Sequence, residues 1–474
     1  MLKFGTDGWR AIIADEYTFS NLRIVSEAVA RYVDSKGAQD KGVLIGYDCR
    51  FLSDKFAREV AEVFAAHGIK VKISDSVIPT PVLAFAVKHF RAFGAVMITA
   101  SHNPPEYNGF KFIPEYAGPA FPEITKVIEE NIKQILENET KIDKIPFEEA
   151  KVKGLVEEFN IQEIYLEHIK SIVDVDAIKS LGSKVIVDPL FGAGAGYIEK
   201  FLTSIGVEVK SMHNWRDPLF GGGMPEPAEK FLTPLKNAVL TNKAIIGLAM
   251  DGDADRFGVI DSKGEYITPN YLITILAMHL IRYKKFTGSL VRTVATTHLI
   301  DRIGEKYGIT VHEVPVGFKY IAEKMLSEKV IIGGEESGGL SVLGHIPEKD
   351  GILADLLALE VVAVERKPLS DVLFEIMREI GTLYSKRINL PVTEEAKEGV
   401  ISSLKSNPPE YVANIKVLNV TTIDGVKLIL RDGSWILMRP SGTEPVVRIY
   451  AEATTFETLN RLIKWGEEIF AKYK

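Results

Sequence analysis

The sequence predicts an α/β protein with three similar α/β domains, whose sheets are mixed but largely parallel, and a final α+β domain. Short β-branched runs at residues 42–47, 184–187 and 244–250 predict buried strands in the α/β part of the chain. Longer stretches such as residues 54–67, with apolar positions at helical spacing, alternate with them. This alternation is typical of βαβ units and parallel sheets.

A different pattern near the C terminus predicts the α+β domain. Residues 415–420, 426–430 and 435–438 alternate like antiparallel strands, and Asp-Gly turns separate them. A helical pattern then closes the chain. The turns indicate antiparallel pairing in this region in place of βαβ units.

Length and polar segments place the domain boundaries. A chain of 474 residues is too long for one core, and this length suggests roughly three or four domains. Polar residues 123–149, which we predict to be helical, link the first region to the second, and polar residues 393–409 precede the last one. We therefore predict domains at residues 1–150, 151–258, 259–380 and 381–474.

Composition narrows the class of protein. A formal net charge of −7 argues against a general nucleic-acid binder. The single cysteine, Cys49, cannot form an internal disulfide, which favours a reducing compartment. The longest apolar stretch, residues 271–281, is about half of a bilayer span, and no signal-peptide pattern follows Met1. We expect a cytoplasmic protein without a membrane or nucleic-acid partner.

Three predicted strands end at an aspartate, namely Asp48, Asp188 and Asp251. Ligands of parallel sheets bind beyond the carboxyl ends of the strands, which makes these side chains candidates for a site. Aspartate is also common in turns. The pattern alone leaves both interpretations open.

The stretch MDGDADRFG predicts a metal site. Asp251, Asp253 and Asp255 alternate with small residues directly after a predicted strand. Carboxylates this close raise one another's pKa, and a divalent cation such as Mg²⁺ or Ca²⁺ relieves the repulsion. An EF-hand is excluded because Arg256 and Ser262 stand where that loop needs glycine and glutamate. The alternative is a solvated acidic turn.

The stretch MRPSGTEPVVRIYAE predicts a phosphate site. Ser441, Gly442 and Thr443 offer hydroxyl and backbone N–H groups, and Arg439 and Arg448 flank them. Hydroxyls, free amides and guanidinium groups are what a phosphate needs. A polar hairpin turn with a chance pair of arginines is the alternative.

The stretch GGEESGG, with Glu335, Glu336 and Ser337 between glycine pairs, suits sugar hydroxyls. Glycines let a ligand approach the backbone closely. A plain acidic loop explains it equally well.

The stretch ITASHNPPEYNGFK places Ser101 where an apolar run enters a loop. The serine lacks the GxSxG setting of a hydrolase nucleophile, and its neighbour His102 does not by itself make a catalytic pair. The chain also has no Walker A loop, and in GAGAGY Tyr197 replaces the third glycine of a dinucleotide site.

Together these motifs resemble those of the α-D-phosphohexomutases, the phosphoglucomutase/phosphomannomutase superfamily. The similarity runs in order from FGTDGWR through TASHNP, DGDADR and GEESG to RPSGTEPVVRIYAE, across all four predicted domains. It implies a four-domain fold with the active site in a central cleft. It also implies one Mg²⁺ per chain and a hexose 1,6-bisphosphate that serves as intermediate and activator.

The resemblance assigns the chemistry to the first two domains. Ser101 would carry the transferable phosphate and complete the metal shell formed by Asp251, Asp253 and Asp255. Basic and helper positions follow by the same similarity: Arg10 and Lys111 near the reacting phosphoryl group, with His102 beside the phosphoserine. We expect Lys111, its pKa lowered by neighbouring cations, to transfer the proton at the sugar oxygen.

The resemblance also implies a set of substrate-binding residues. GEESG is similar to the sugar-recognition loop, and RPSGTEP to the loop that holds the phosphate that does not react. Further basic or ligand positions fall in DGDADRF, LVRTVATT and VPVGFKY. The implied residues are Arg256, Arg292, Lys319, Glu335, Ser337, Arg439, Ser441, Gly442, Thr443 and Arg448.

One departure from the family pattern bears on the sugar. Gly339 stands where mannomutase-like and glucosamine-mutase-like members continue with a histidine. We therefore place the chain nearest the phosphoglucomutase branch. His345, in GHIPEKDG, is a candidate for the missing imidazole.

The expected reaction interconverts glucose 1-phosphate and glucose 6-phosphate in a site closed to water, with the fourth domain as a mobile lid. A phosphomannomutase or a dual-specificity enzyme is the alternative, followed by a phosphoglucosamine mutase or a sugar-phosphate phosphatase. A phosphosugar-binding regulator is disfavoured because Ser101 and the three metal aspartates are present. We expect hexose phosphates as partners and a monomer or homodimer.

Overall fold

The computed structural model describes residues 2, 4–5, 8–441 and 446–471. The chain forms two compact units, each assembled from two segments. Unit 1 comprises Met1–Pro269 with Ser337–Ser370, and unit 2 comprises Asn270–Glu336 with Asp371–Lys474. Among the described residues, the helices are all too short or too polar to cross a membrane.

The first part of unit 1 is a six-stranded sheet covered by helices. Its elements are β1 (Trp9–Ile12), α1 (Phe19–Ser35), β2 (Val43–Tyr47), α2 (Ser53–Ala66), β3 (Val71–Ser74), α3 (Thr80–Phe90), β4 (Gly94–Ile98), β5 (Tyr107–Pro114), α4 (Pro122–Glu137), α5 (Phe147–Val152) and β6 (Val156–Phe159). The strand order is β1-β5-β4-β2-β3-β6. Strands β4, β2, β3 and β6 are parallel, whereas β5 and β1 pair antiparallel. Apolar runs such as that of β2 are buried because helices cover the sheet.

The second part of unit 1 is a five-stranded sheet. Its elements are α6 (Gln162–Ile172), α7 (Val175–Lys179), β7 (Val185–Asp188), α8 (Tyr197–Ser204), β8 (Val209–Ser211), α9 (Thr233–Asn242), β9 (Ile246–Met250), β10 (Phe257–Asp261) and β11 (Tyr266–Ile267). The order is β11-β10-β9-β7-β8, with β8, β7 and β9 parallel and β10 and β11 antiparallel. The hairpin that joins β9 to β10 contains the three predicted metal aspartates.

Unit 2 begins with a parallel sheet. Its elements are α10 (Pro269–Arg282), β12 (Ser289–Thr293), α11 (Leu299–Tyr307), β13 (Val311–Val314), α12 (Phe318–Ser327) and β14 (Val330–Gly334). Strand β12 lies between β13 and β14 and is parallel to both. Val291, Phe318 and Ile321 are buried together in its core.

The chain then returns to unit 1 through β15 (Leu340–Val342) and α13 (Gly351–Glu365). Every residue from Gly351 to Ala363 is buried, including Asp355 and Glu360, and the other residues of this stretch are apolar on every side of the helix. Asp350 caps the helix by accepting the backbone N–H of Leu353. The loop between β15 and α13 is thereby held in unit 1.

The C-terminal part of unit 2 contains an antiparallel sheet. The elements from Leu369 onward are α14 (Leu369–Ile380), β16 (Tyr384–Pro391), α15 (Glu394–Ser406), β17 (Tyr411–Val412), β18 (Ile415–Thr421), β19 (Val426–Leu430), β20 (Trp435–Pro440), β21 (Val446–Ala453) and α16 (Phe456–Ala471). The order is β16-β21-β20-β19-β18-β17. Trp435 and Leu437 also pack against Val294 and Ala295, which joins the two parts of unit 2.

The architecture confirms the predicted fold class, with parallel strands in the first three regions and antiparallel strands in the last. One helical prediction was wrong in part, because residues 138–146 lie between α4 and α5 without helical structure. Glu139 has a φ of 45°, and Pro146 favours an extended residue before it. The four domain boundaries remain predictions.

Candidate active site

Ser101 follows β4 in a strained, buried loop. Its φ is 53° and it is 1% exposed, and a non-glycine residue in this conformation carries backbone strain. Its Oγ donates a hydrogen bond to Oδ2 of Asp251 at 2.9 Å, and its backbone N–H donates to Oγ1 of Thr99 at 2.9 Å. The loop therefore fixes the hydroxyl against the first predicted metal ligand, which lies in unit 1 as well.

Arg50 holds this loop, and sequence reasoning missed it. Its buried guanidinium donates to the backbone carbonyls of Ser101, Asn103, Pro104 and Tyr107 at 2.6–2.9 Å. The only sequence signal is a basic residue just after a strand-end aspartate. Four contacts from one side chain to backbone atoms explain how the strained conformation of Ser101 is maintained.

The three strand-end aspartates make different contacts and have different roles. Asp48 accepts hydrogen bonds from the hydroxyls of Thr99 and Ser53 and is paired with Arg50, so it supports the serine loop from behind. Asp188 is hydrogen-bonded to the ring of His213 at 3.0 Å. Of the three, Asp251 alone belongs to the acidic cluster described next.

Asp251, Asp253 and Asp255 form a buried cluster. Each offers one carboxylate oxygen within 4.8 Å of the others. Oδ1 of Asp253 and Oδ1 of Asp255 are buried and find no hydrogen-bond partner among the described residues. Buried carboxylate oxygens left unpaired are costly, and three oxygen donors at this spacing suit a hard cation such as Mg²⁺. The donor set therefore fits a divalent metal.

The carboxylates of this cluster differ in their electrostatic setting. Burial, then the charges of Asp253 and Asp255, raises the pKa of Asp251 well above its usual range. Burial also acts to raise the pKa of Asp253, but the neighbouring Lys111 outweighs it, and that pKa is lowered. Oγ1 of Thr80 adds a hydrogen bond to Asp253 at 2.6 Å.

Lys111 lies against the acidic cluster, as the motif comparison predicted. Its Nζ is 2.7 Å from Oδ2 of Asp253 and 3.4 Å from Oδ2 of Asp255. The expected lowering of its pKa was wrong. Burial alone would lower the pKa of the ammonium, but the two carboxylates outweigh burial and raise it. The neighbouring cations, which were expected to lower the pKa of Lys111, have a weaker effect on it than the two carboxylates.

His102 and Arg10 flank Ser101. Nδ1 of His102 lies 3.3 Å from Oγ of Ser101. Burial, followed by the positive charges of Arg256 and Arg10, lowers the pKa of His102 well below its usual range, so the ring is neutral at physiological pH. Arg10 donates from Nη1 to Oδ1 of Asn103 at 3.0 Å, which places its charge at the serine loop.

Lys349 is a second residue that the motifs did not reveal. Its Nζ lies 3.1 Å from Oδ2 of Asp255. A Cβ added to Gly339 would lie 2.3 Å from Cδ of Lys349. The absence of a side chain at Gly339 therefore makes room for this lysine. The signal was present as the EKDG stretch, but only the fold shows what the lysine contacts.

Glu348 adds a buried carboxyl beside these lysines. Burial is the main cause that raises its pKa to about 7. A cavity of about 30 Å³ lies here, lined by Lys111, Glu348 and Lys349 among others. That volume is enough for about one water molecule.

His345 does not supply the missing imidazole. Its side chain is fully buried, with Nε2 2.9 Å from Oδ2 of Asp350 and Nδ1 3.0 Å from Nε2 of His168. Tyr165 donates to the same oxygen of Asp350 at 2.7 Å. Both ring nitrogens are thus used inside unit 1, where the ring supports the loop that carries Lys349.

The predicted phosphate-binding residues lie in unit 2. Arg439 and Arg448 face each other as direct partners across β20 and β21. Like charges in this position normally repel, which favours an anion there. Ser441 is 3% exposed, and its carbonyl accepts a hydrogen bond from Lys397 at 3.2 Å. Gly442 and Thr443 lie outside the described residues.

The predicted sugar-binding residues are described within their own units. In unit 2, Oε1 of Glu335 accepts the backbone N–H of Gly317 at 3.0 Å. Lys319 is the second residue of α12, and its Nζ lies 4.9 Å from the ring centre of Tyr320. Ser337 belongs to unit 1, where it is partly exposed. Arg256 lies directly after the acidic cluster, 4.0 Å from Asp255.

Arg292 was predicted to contact substrate, but its side chain is buried and pairs with carboxylates of unit 2. Its guanidinium is 4% exposed and forms a two-point ion pair with Asp301 at 2.6 and 2.9 Å. It also pairs with Glu313. Two carboxylates satisfy this charge, so we assign Arg292 a structural role.

Comparison with known proteins gives a family match along most of the chain. Four models of phosphoglucomutase/phosphomannomutase domains match: domain I at residues 1–139, domain II at 163–264, domain III at 268–380 and the C-terminal domain at 388–464.

Several curated relatives span almost the whole chain. A phosphoglucomutase from Komagataeibacter xylinus is 30% identical over 95% of this chain and 87% of its own length. A phosphoglucomutase/phosphomannomutase from Thermococcus kodakarensis is 32% identical, with 98% and 97% covered. A phosphoglucosamine/phosphogalactosamine mutase from Sulfurisphaera tokodaii is 31% identical, with 97% of each covered.

Solved structures show the same fold. A protein from Thermus thermophilus, provisionally described as a phosphomannomutase, superposes with a TM-score of 0.86 at 35% identity, covering 99% of both chains. An N-acetylphosphoglucosamine mutase from Aspergillus fumigatus, solved with GlcNAc-6P and magnesium, has a TM-score of 0.60 at 14% identity and covers 100% of this chain and 95% of its own. The second likeness concerns the fold alone.

Proposed function

This chain belongs to the phosphoglucomutase/phosphomannomutase family, and we propose that it interconverts glucose 1-phosphate and glucose 6-phosphate. Members of this family are phosphotransferase isomerases that act on hexose phosphates. The observation that carries the proposal is the contact of Ser101 with Asp251 at 2.9 Å, because it sets a buried hydroxyl against a cluster suited to a divalent cation.

Ser101 is the proposed carrier of the phosphoryl group. In the forward step the bond from phosphorus to Oγ of Ser101 breaks, a bond from phosphorus to a sugar hydroxyl oxygen forms, and the proton of that hydroxyl ends on Oγ of Ser101. The hexose 1,6-bisphosphate then returns its other phosphoryl group to Ser101. The burial of Ser101, which is 1% exposed, supports a site from which bulk water is excluded.

The acidic cluster is the proposed place for one Mg²⁺. Asp251, Asp253 and Asp255 would hold it through the oxygens that lie within 4.8 Å of one another. When bound, Mg²⁺ supplies positive charge that stabilises the oxygens of a transferring phosphoryl group.

Positive side chains of unit 1 take the remaining catalytic roles. Arg10 lies at the serine loop and would stabilise charge on the phosphoryl oxygens. Lys111 is our candidate for proton transfer at the sugar oxygen. Its raised pKa favours the ammonium form, which would give a proton to the sugar oxygen as the phosphoryl group leaves it; the neutral amine so formed would take the proton back in the reverse step.

Residues of unit 2 are proposed to bind the substrate. The guanidinium groups of Arg439 and Arg448 suit the phosphate that does not react. The carboxylate of Glu335 and the ammonium of Lys319 suit sugar hydroxyls and phosphate. The sugar preference is proposed from GEES and Gly339, and phosphomannomutase or dual activity is the second candidate because a relative with both names is 32% identical.

The test is a comparison of kcat/KM for glucose, mannose and N-acetylglucosamine 1-phosphates, with Ser101→Ala measured in parallel. We expect the highest value for glucose 1-phosphate. Loss of the nucleophile should lower kcat by about 10⁴-fold or more. A mannose preference would overturn the choice of sugar, and an active Ser101→Ala enzyme would overturn the mechanism.

A further inference from the structure

The N-terminal end of α12 presents two neighbouring backbone amides to two carboxylates of unit 2. The N–H of Val316 donates to Oδ2 of Asp424 at 3.2 Å, and the N–H of Gly317 donates to Oε1 of Glu335 at 3.0 Å. Glu335 lies in the proposed sugar loop, whereas Asp424 lies in the turn between β18 and β19. Two distant segments are thus tied to adjacent atoms of one helix end.

The same oxygen of Asp424 also accepts the Nε–H of Arg439 at 2.7 Å. A guanidinium has five N–H donors in one plane, so a bond to Nε fixes the orientation of that plane while it uses one donor. The carboxylate also offsets the repulsion between Arg439 and its cross-strand partner Arg448. Asp424 therefore fixes the orientation of the Arg439 guanidinium and also lowers the electrostatic cost of placing it opposite Arg448.

The turn that carries Asp424 is itself fixed. Gly425 has a φ of 90°, and a Cβ at that position would lie 2.4 Å from the carbonyl oxygen of Met438. Val426 and Met438 are register partners in the sheet. The turn thus packs directly on the strand that carries Arg439, and the carboxylate has little freedom to move away from the guanidinium.

We propose that Asp424 is a positioning residue that couples the phosphate-binding Arg439 to the start of α12 and, through Gly317, to Glu335. The proposal deepens the proposed function and rests on it. Asp424 itself touches no reacting atom. It holds Arg439 at a set distance from the sugar loop, so that a hexose phosphate meets both groups without rearrangement. The same coupling retains the bisphosphate while it exchanges its two ends.

The test is a double-mutant cycle with Asp424→Asn and Arg439→Gln. We expect Asp424→Asn to raise KM for glucose 1-phosphate about tenfold with kcat changed less than about threefold, because uniform binding is lost. Adding Asp424→Asn to Arg439→Gln should change KM no further, since residues that act through one another are not additive. The Asp424→Asn variant should also need a higher concentration of added hexose 1,6-bisphosphate than the wild type.

Asp432→Asn is the matched control. Asp432 occupies the other Asp-Gly turn of the same sheet, where its Oδ1 accepts the N–H of Ser434 at 3.0 Å within the turn. Its KM should equal that of the wild type. An equal rise in both variants, additive effects in the cycle, or an unchanged KM in Asp424→Asn would each overturn the proposal.

Two further measurements distinguish failure of this proposal from misfolding of a variant and from failure of the proposed function. If Asp424→Asn does not fold, Arg439→Lys replaces it, because lysine keeps the charge but lacks the planar fork; a wild-type KM would then contradict the positioning role. Calorimetric binding of glucose 1-phosphate, compared between the wild type and Asp424→Asn, needs no turnover. If the wild type binds glucose 1-phosphate without interconverting it, the proposed function alone is contradicted. If the wild type does not bind glucose 1-phosphate, both the proposed function and the positioning role of Asp424 are contradicted.

Discussion

At the residue scale, Gly339 leaves the space that the side chain of Lys349 occupies. A Cβ there would lie 2.3 Å from Cδ and 2.7 Å from Cγ of Lys349. We predict that Gly339→Ala displaces Lys349 from Asp255 and lowers kcat/KM about tenfold, which corresponds to about 1.4 kcal/mol. Stability should change by less than about 1 kcal/mol because the lysine chain can turn aside.

Kinetics of Gly339→Ala beside Lys349→Met check this prediction, and Gly223→Ala serves as the control. The nearest atom to a Cβ at Gly223 is 3.6 Å away, an ordinary contact. The two site variants should share the same defect, and Gly223→Ala should show none. Wild-type kcat/KM in Gly339→Ala would contradict the role of this glycine.

Individual residues also show how far sequence reasoning reached. Asp251, Asp253 and Asp255 were predictable because the cluster is local in sequence. Arg50 and Lys349 were not, since each acts through contacts with segments far along the chain. His345 was misassigned for the same reason: its partner His168 lies 177 residues away.

At the scale of elements, His67, at the C-terminal end of α2, links this helix to two residues of α1. Its ring lies 2.8 Å from Glu27 and 2.5 Å from Asp34, and Arg31 pairs with Glu27 at 2.8 Å. The hydrogen bond to Glu27 is the largest cause that raises the pKa of His67; burial opposes it, and Asp34 adds to it. A raised pKa stabilises the fold below about pH 6.5, the value for an unfolded histidine, and this contribution fades as pH rises through the folded pKa.

We therefore predict that His67→Ala lowers the free energy of unfolding by about 2 kcal/mol at pH 6, typical of hydrogen bonds to charged groups. The difference from the wild type should shrink at pH 9. Calorimetry at both pH values measures it, and exposed His89 provides the control variant His89→Ala. An equal loss at both pH values would show that packing alone explains the effect.

The sequence predicted the positions of strands and helices better than it predicted which of them pack together. The periodicity of residues 42–47 and 54–67 corresponds to β2 and α2 because amphipathic spacing is a local property. Asp-Gly turns likewise marked the hairpins of the last sheet. Which helix covers which strand depends on packing, so the return of α13 to unit 1 could not be read from its apolar sequence.

At the scale of the whole molecule, most of the third predicted domain lies in unit 2 with the fourth, whereas its residues 259–269 and 337–370 lie in unit 1. Nζ of Lys427 in β19 donates to the carbonyl of Val294 at 2.9 Å and to Glu313 at 2.8 Å. Trp435 packs at the same place. We therefore expect any motion of the antiparallel sheet to carry the β13-β12-β14 sheet with it, in place of a fourth domain that moves alone.

Metal binding should stabilise unit 1, because the three aspartates all belong to it. We predict that Mg²⁺ at 100 times its Kd raises the free energy of unfolding of unit 1 by about 2.7 kcal/mol. EDTA should reverse the gain, and Asp253→Asn should reduce it. Calorimetry follows the transition, with unit 2 as an internal control. Equal stabilisation of the wild type and Asp253→Asn would contradict the assignment.

The central claim is that Ser101 carries the phosphoryl group between the two ends of a hexose. The most direct measurement gives the protein ³²P-labelled glucose 6-phosphate and locates the label by peptide mapping. The account predicts label on the peptide that contains Ser101, in glucose 1-phosphate and in the bisphosphate, with little free phosphate. Interconversion without labelled Ser101, or steady release of phosphate, would contradict it.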